Sequence, residues 1–222
     1  MMTITTRMVE SADEVNAVYR LRYEYYVGWC EIDVAIADHA RLQLHDERDA
    51  AALAFATFAG PDPVGTFRIE VSAPQALSFG ADWRFADFLA DVPERLGLVS
   101  WFVTDPHLRD TSVVAHMVER SVAIARGLDV DHVFFECCPA HWPLFHRAGL
   151  KRRGGAIPHR LTGLQSAVFH LDRSDRHAAA LAARDFGAPV LVRHERAPEE
   201  ANEAVPQRAT RARPLALVSG GN

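Results

Sequence analysis

The fold is decided by the stretch LVSWFVTDPHLRDTSVVAHMVERSVAIARG, residues 98–127, together with VFFECCPAHWPLFHRAGL, residues 133–150. The first stretch opens with an apolar run, 98–104, that is typical of a buried strand. Helical periodicity then follows over 111–126, and Gly127 ends it. A buried strand therefore leads directly into an amphipathic helix.

The second stretch predicts another strand over 131–138 and a short helix over 140–148 that stops at Gly149. A strand, a crossover helix and a second strand form a right-handed unit with parallel strands. We therefore expect one parallel strand pair at the centre of a larger sheet.

The N-terminal half predicts further strands and one helix. Residues 3–9 can form a short strand, and Ser11 with Glu14 forms a capping-box pattern before an apolar stripe at helical spacing. The runs 50–59 and 64–71 are β-like and are joined by Gly-Pro-Asp-Pro, so they predict a hairpin.

The remaining segments are less regular. Residues 28–46 lack periodicity and suggest a lid or acceptor loop, 83–92 suggests a short helix, and 165–172 suggests a last strand. From 173 onwards the composition shifts, so we expect a C-terminal helix and extension over 173–195 and a flexible tail over 196–222.

Composition narrows the possible functions. The chain has 222 residues, 49% hydrophobic, and a formal net charge of -5, which predicts one globular domain and disfavours a nucleic-acid partner. Three cysteines do not make a disulfide framework. The sequence shows no apolar segment of signal-peptide or membrane-span type, so the expected location is the cytoplasm.

The order of these elements resembles the GNAT superfamily of acyltransferases, whose second helix ends in a signature like Phe145-His-Arg-Ala-Gly149-Leu150. The resemblance implies an α/β fold, with a mixed, mostly antiparallel sheet, a central parallel strand pair and flanking helices. We assign this acyltransferase domain to residues 1–172.

A more specific resemblance lies near the N-terminus. Arg20-Leu-Arg22-Tyr-Glu-Tyr-Tyr26, Trp29, His45-Asp46 and Gly65-Thr-Phe-Arg68 are similar to acyl-homoserine-lactone synthases and to long-chain N-acyl amino acid synthases. The resemblance implies transfer of an acyl group to a primary amine such as an amino acid. The donor would be acyl-phosphopantetheine on an acyl carrier protein, or acyl-CoA, with no permanently bound cofactor.

The resemblance also implies a donor site, since in GNAT proteins the first strand of the parallel pair binds pantetheine and the next helix N-terminus receives a phosphate. The implied donor-binding residues are Phe102, Val103, Thr104, Arg109, Thr111, Ser112 and Val113. The loop from Arg109 to Val114 lacks both glycines of the family pattern, and glycines there let the backbone surround a pyrophosphate. A single phosphate, as on a carrier protein, needs less of this cradle.

The implied acceptor-binding residues are Arg22, Tyr26, Asp46 and Arg68, with an Arg binding a carboxylate and Asp46 binding the amine. Ordinary surface ion pairs are an equal alternative for any one of them. Candidate catalytic residues are His45 and Asp46, which could take a proton from the amine, and Ser100. Where this chain has Leu98 and Trp101 around Ser100, the lactone synthases have an acidic residue and an Arg, which argues against lactone formation.

The cysteine-rich segment allows three interpretations. Cys137, Cys138 and His141 lack a second ligand pair, so we predict no metal site. Cys138 with His141 could form an acyl-enzyme, but direct transfer is the interpretation that the resemblance favours. Phe145 stands where GNAT proteins often have a Tyr acid, so that acid is absent.

A basic run follows the second helix. Arg147, Lys151, Arg152 and Arg153 could dock an acidic carrier protein, or they could be a solvated charge run. Two other functions stay open from the sequence. One is a CoA-dependent N-acyltransferase for a peptide or small-molecule natural product, and the other is a non-catalytic GNAT-shaped binding or regulatory module.

Overall fold

The computed structural model describes residues 2–78, 80–108, 111–172 and 190–192. Within them the strands are β1 (Met2–Met8), β2 (Ala37–Asp38), β3 (Gln43–Leu44), β4 (Leu53–Ala59), β5 (Asp62–Ser72), β6 (Leu96–Thr104), β7 (His132–Cys137), β8 (Lys151–Pro158), β9 (Gln165–Asp172) and β10 (Val190–Val192). The α-helices are α1 (Ala12–Tyr23), α2 (Gly80–Trp83), α3 (Thr111–Gly127) and α4 (Trp142–Arg147).

Eight of these strands form one sheet in the order β10-β1-β4-β5-β6-β7-β9-β8, and β2 pairs with β3 separately. All neighbours in the large sheet are antiparallel except β6 and β7, which are parallel and pair from Gly97 with Val133 to Val99 with Phe135. The predicted fold class is therefore confirmed: the sheet is mixed and mostly antiparallel, with one internal parallel pair and helices on its faces.

Helices cover both faces of the sheet. On one face α3 packs against β5 so closely that a Cβ at Gly65 would lie 2.3 Å from the Met117 Sδ. On the other face α1 begins with the predicted capping box and packs Val18 against Ala56 and Phe58 of β4. Burial of these apolar side chains on both faces is the main force that holds the layers together.

A bulge in β6 opens the centre of the sheet. Thr66 pairs with Val103 and Arg68 pairs with Ser100, so β6 has one residue more than β5 between these two pairs. Trp101 lies in that bulge and has a φ of 53°, in the left-handed region. Because pairing of β6 with β7 ends at Val99, the two strands part beyond it and leave a cleft between them.

Most elements predicted from the sequence are confirmed. The strand over 3–9, the hairpin, the strands of the parallel pair, the last strand and the helices α1, α3 and α4 lie within a few residues of the predicted ranges. In the segment 28–46, mostly irregular as expected, the small β2–β3 pair forms. Residues 24–29 continue α1 as a π-helix that the sequence did not predict.

The predicted helix over 83–92 is wrong. The chain instead forms the four-residue α2 and a 3₁₀ turn, Phe85–Phe88. Arg84 between them has a φ of 47°, which interrupts the helix, and Trp83 and Phe85 are both buried in the cluster around Phe134. Burying two large rings on either side of one residue outweighs helical periodicity here.

Two strands of the large sheet were missed. Strand β8 is exposed and contains two glycines, so the sequence KRRGGAIP showed no strand signal. Strand β10 lies within the predicted extension over 173–195 and pairs with β1. The rest of that extension and the tail predicted over 196–222 lie outside the described residues. Among the described residues no helix is long and apolar enough to cross a membrane.

Candidate active site

The cleft where β6 and β7 part encloses a cavity of about 40 Å³. Trp101 and Phe102 line it from β6, Glu136 lines it from β7, and Cys138 follows directly after β7. Tyr26, from the π-helical end of α1, closes it from above the sheet. The cavity is therefore bounded by aromatic rings on one side and by a carboxyl group and a thiol on the other.

Three of the predicted donor-binding residues lie on the free edge of this cleft. Phe102, Val103 and Thr104 follow the last β6–β7 pair, so among the described residues the backbone edge that faces β7 has no strand partner there. The other edge of β6 is held by β5 through the pairs of Val103 with Thr66 and Thr104 with Gly65. An extended ligand can use the free backbone groups as an added strand would.

The loop from β6 leads to the N-terminus of α3. The Asp105 amide donates to the Val64 carbonyl at 2.9 Å, and the Asp105 carboxylate accepts from the His107 amide at 2.8 Å, which fixes the turn. Of the predicted donor residues, Thr111 is the first residue of α3, Ser112 is half-buried and Val113 is buried in the core. Arg109 lies outside the described residues.

A buried ionic network lies beside the cleft on the α1 face of the sheet. It consists of Arg22, Asp46, Asp49, Arg68 and Glu70. Arg22 donates to Asp49 at 2.8 Å, while Arg68 contacts Asp46 at 2.5 Å, Asp49 at 3.3 Å and Glu70 at 2.9 Å. Both guanidinium groups have 0% exposed side-chain area. Two buried cations are thus matched by carboxylates rather than by water.

The network shifts the pKa values of Asp49 and Arg68 in the direction that strengthens their ion pairs. Burial by itself would raise the pKa of Asp49, but Arg22 and Arg68 outweigh burial and lower it. Burial would lower the pKa of Arg68, but Asp46, Asp49 and Glu70 outweigh it and raise that pKa. The charged forms are therefore the stable ones in the folded protein.

This geometry bears on the predicted acceptor residues. The side chains of Arg22 and Arg68 have 0% exposed area, so an acceptor carboxylate reaches neither guanidinium group in this structure. Tyr26 lies edge-on to Trp101, with ring centroids 5.5 Å apart, and lines the cleft. Of the three carboxylates that contact Arg68, Asp46 has the largest exposed side-chain area, so it is the predicted acceptor residue that a ligand meets first.

Asp46 and His45 line a second, outer groove of about 530 Å³ together with Tyr19, Glu47 and Asp49. The exposed His45 ring stacks on Tyr19 at 4.6 Å. The Trp101 indole, which lines the cleft, donates through Nε1 to Asp46 Oδ2 at 3.4 Å. The groove and the cleft are therefore adjacent, and the contact between Trp101 and Asp46 forms the wall between them.

The structure separates Ser100 from the other two predicted catalytic residues, His45 and Asp46. His45 lies in the outer groove, and the Asp46 carboxylate already accepts from Arg68 and from the Arg48 amide. Ser100 has 0% exposed area, and its hydroxyl has no hydrogen-bond partner among the described residues. Neither Ser100 nor His45 lines the cleft.

Sequence reasoning missed a polar group that does line the cleft. Glu136, near the end of β7, is 6% exposed, and its Oε1 accepts from the Ser166 hydroxyl at 2.9 Å. The Nε2 of His159, from the turn between β8 and β9, lies 3.6 Å from the same oxygen. The one available signal was a single acidic residue inside the apolar run VFFECC, which is unusual in a buried strand.

Burial dominates the titration of this pair. It raises the pKa of Glu136 to about 7, although the Ser166 hydrogen bond and Arg68 act against it. It lowers the pKa of His159 to about 4, so the imidazole is neutral at pH 7. A carboxyl group that titrates near neutrality in a cleft is a candidate acid or base.

The cysteine-rich segment forms a neutral pair. The Cys138 Sγ lies 3.6 Å from His141 Nδ1. Burial raises the pKa of the Cys138 thiol and lowers the pKa of His141, so the thiolate–imidazolium form is disfavoured. Among the described residues no group of three or more His, Cys, Asp or Glu side chains is arranged to hold a metal ion.

The predicted carrier-docking run is divided by strand geometry, because successive side chains of β8 point to opposite faces. The Arg152 guanidinium lies 4.6 Å above the Trp142 ring on the α4 side. Arg153 instead contacts His170 Nδ1 through its Nη2 at 3.0 Å and is half-buried. Arg147 and Lys151 are exposed. The four cations therefore do not form one patch.

Comparison with known proteins identifies the fold. The solved structure of FeeM, an N-acyl amino acid synthase from uncultured soil microbes, is similar with a TM-score of 0.59 and 17% identity, covering 82% of this chain and 98% of that one. BjaI, a CoA-dependent acyl-homoserine lactone synthase solved with SAM and isopentyl-CoA, gives 0.63 and 14%, covering 88% and 94%. An acyl-CoA N-acyltransferase from Pseudomonas aeruginosa gives 0.52 and 13%, covering 77% and 99%.

No curated protein matches the chain by sequence. The family model described as N-acyl amino acid synthase FeeM matches residues 17–172, which run from α1 to the end of β9. The match therefore includes the ionic network, the cleft and the start of α3. The chain belongs to the FeeM family of N-acyl amino acid synthases, and it is an acyltransferase with a GNAT-like fold.

Proposed function

We propose that this protein transfers an acyl group from the thioester of phosphopantetheine, carried by an acyl carrier protein, to the primary amine of an amino acid. The observation that carries the proposal is the cleft between β6 and β7, in a chain whose family is that of an N-acyl amino acid synthase. The cleft offers a free strand edge for the donor and a neighbouring groove for the acceptor.

The donor lies along the free edge of β6. Its pantetheine amides hydrogen-bond to the backbone at Phe102, Val103 and Thr104, and its phosphate meets the N-terminus of α3. That helix has 17 residues, and the partial positive charge of a helix N-terminus favours an anion. The start of α3, from Thr111 to Val113, forms the phosphate site.

The acceptor enters from the outer groove. Its ammonium group is attracted by the carboxylates of Asp46, Asp49 and Glu47, and it passes Trp101 and Tyr26 to reach the thioester. Arg22 and Arg68 hold Asp46 and Asp49 in place from below. In this arrangement the arginines position the carboxylates, and Asp46 makes the direct contact.

The chemistry is direct transfer. The neutral amine attacks the thioester carbonyl carbon, so that a C–N bond forms and the C–S bond breaks. The nitrogen, which is positively charged after the attack, gives one proton to the departing thiolate, so that an amide N–H and a free thiol remain. A thiolate is a good leaving group, so the buried Phe145 in place of a Tyr acid is compatible with this reaction. The neutral Cys138–His141 pair has no covalent role in it.

A carrier protein is the proposed donor because the loop before α3 lacks glycines and exposed cations lie on the α4 side. Arg147 and Arg152 are the docking residues on this side, whereas Lys151, next to Arg152 in β8, points to the other face of the strand. Arg153 is left out because it is engaged by His170. Steering by such exposed charges accelerates association and weakens with salt.

The test is a two-donor assay. Purified protein is incubated with a long-chain acyl carrier protein or with the matching acyl-CoA, each with the twenty amino acids, and products are identified by mass spectrometry. The proposal expects an N-acyl amino acid, with the acyl carrier protein giving the higher kcat/KM. Equal rates with both donors would overturn the donor assignment, and no N-acyl product from any combination would overturn the function.

A further inference from the structure

We propose that Glu136 is the general base that deprotonates the acceptor amine, and that Ser166 and His159 are the residues that position it. This inference rests on the proposed function and adds the group that starts the reaction. The sequence predicts a base at His45 or Asp46, whereas the cleft itself contains a different carboxyl group.

Glu136 lies in the wall of the cleft. Glu136 is the cleft-lining carboxylate among the residues that the structure describes, and it lies next to Cys137 at the point where β7 has left β6. Its ring neighbours across the cavity are Trp101 and Tyr26. A thioester placed along β6 would therefore have this carboxyl group on the opposite wall.

Two neighbouring side chains orient the Glu136 carboxyl group. Ser166 on β9 donates through Oγ to Glu136 Oε1 at 2.9 Å, and its Oγ also lies 3.3 Å from the Cys137 carbonyl. His159 Nε2 approaches the same Oε1. Because both neighbours contact one oxygen, the other oxygen, Oε2, is the one that remains for a ligand.

The turn between β8 and β9 fixes the His159 tautomer. The amides of Leu161 and Thr162 both donate to His159 Nδ1 at 3.3 Å, so Nδ1 is the acceptor and Nε2 carries the proton. The His159 amide donates to the Leu164 carbonyl at 2.8 Å, and the Gly163 amide donates to the His159 carbonyl at 2.7 Å. The turn therefore directs an N–H group at Oε1.

The charged groups around Glu136 support a base that works at neutral pH. Glu70 on β5 and Asp82 on α2 act with burial to raise the pKa, while Arg68 on β5 acts against them, and the result is about 7. His159 is neutral and contributes only its N–H dipole. A base with a pKa near the operating pH is the most effective one.

The other candidates are less well placed. Asp46 is already held by Arg68, the Arg48 amide and Trp101, so proton uptake would break an ion pair. His45 is exposed in the outer groove, and the Ser100 hydroxyl is buried away from the cavity. Glu136 alone among these four is both inside the cleft and free of a cationic partner at contact distance.

The proton balance is simple. An ammonium group enters, and Glu136 Oε2 takes one proton from it, which leaves a neutral amine. The amine nitrogen attacks the thioester carbon and becomes positively charged as the C–S bond breaks. It then gives its extra proton to the thiolate, so amide and thiol are formed. Glu136 returns its proton to solvent before the next turnover.

The test is the pH dependence of kcat/KM in wild type, Glu136→Gln, Ser166→Ala, Glu70→Gln and Glu119→Gln, with an acyl carrier donor and the best amino-acid acceptor. Glutamine preserves the shape and the acceptor for Ser166 but cannot take a proton. Wild type should show a rate that rises with pH through about 7 and then levels off. Glu136→Gln should lose about 10²- to 10⁴-fold at pH 7. That loss should shrink towards pH 9.5, as the amine deprotonates in solution.

Ser166→Ala removes a hydrogen bond that favours the carboxylate, so its rising limb should move to higher pH, which a purely structural role would not do. Glu70→Gln removes a buried carboxylate that raises the pKa of Glu136 without lining the cleft, so its rising limb should move to lower pH, opposite to that of Ser166→Ala. Glu119→Gln, at an exposed site on α3, is the control, and its pH profile should coincide with that of wild type. Circular dichroism checks that each variant is folded.

The outcomes separate the two proposals. If wild type makes no N-acyl product, the proposed function fails. If wild type makes the product but Glu136→Gln matches it across the pH range, the function stands and the assignment of Glu136 as base is overturned. A Ser166→Ala profile that coincides with wild type would overturn its positioning role.

Discussion

Replacing Glu136 by glutamine should make the protein more stable at alkaline pH, because the carboxyl group is charged there inside an apolar cleft. Its pKa is raised from 4.5 to about 7 in the folded state. A raised folded pKa means that the folded state binds the proton more tightly than the unfolded chain. The stabilising contribution is therefore complete below pH 4.5 and is lost as the pH rises through 7.

The size of the effect follows from the shift. One pKa unit corresponds to about 1.4 kcal/mol, so the loss reaches about 3 kcal/mol at pH 8, and most of it falls between pH 5 and pH 8. Glutamine does not ionise and still accepts from Ser166. The free energy of unfolding of Glu136→Gln, minus that of wild type, should therefore increase by about this amount over the same pH range.

Urea unfolding followed by circular dichroism at pH 5, 6, 7 and 8 measures this difference. Glu119→Gln, at an exposed site on α3, controls for the loss of one negative charge and should give a difference that hardly changes with pH. A Glu136→Gln difference that is flat, or that decreases with pH, would refute the reasoning, because the carboxyl group would then not be paying a burial penalty when charged.

Three further predictions follow from the network, the thiol and the cations on the α4 side. Arg68→Met should destabilise by about 3 to 5 kcal/mol in urea unfolding, because it leaves buried carboxylates unpaired, whereas Arg7→Met, which removes an exposed ion pair with Glu14, should change little. Equal effects of the two would contradict the burial argument. Cys138→Ala should keep most of its transfer activity in the mass-spectrometric assay, and a labelled acyl group trapped on Cys138 would show that direct transfer is wrong. The double variant Arg147→Glu/Arg152→Glu should lower kcat/KM for the acyl carrier by about tenfold or more at low salt, and less as salt rises; an equal loss with acyl-CoA would remove the docking role.

The fold was predictable where a segment buries one face and its periodicity shows it. The stretch 98–127 begins with a continuous apolar run and continues with apolar residues at helical spacing. This change predicted a strand followed by a crossover helix, and hence the parallel pair of β6 and β7. Strand β8 was not predictable, because its side chains are mostly exposed and it is held by β9 through the backbone. Likewise, the apolar pattern of 83–92 did not indicate that the backbone of Arg84 adopts a left-handed conformation.

The site was predictable only in part. The order of Arg22, Asp46 and Arg68 in the chain indicated a common location, and the structure brings them into one network. The direction in which these side chains point was not predictable, because a sequence does not show whether charged residues face a ligand or each other. Glu136 and His159 were missed because they are 23 residues apart in the numbering of the chain and meet only after β8 and β9 have formed.

The most direct test of the central claim is a single-turnover reaction with two labels. Wild-type protein in excess is mixed with a ¹³C-labelled acyl thioester on a carrier protein and a ¹⁵N-labelled amino acid, and both thiol release and product mass are followed. The account predicts one product that contains both labels and forms in step with the free thiol. Release of ¹³C-labelled fatty acid without ¹⁵N, or a thioester that persists, would contradict acyl transfer to an amine in this cleft.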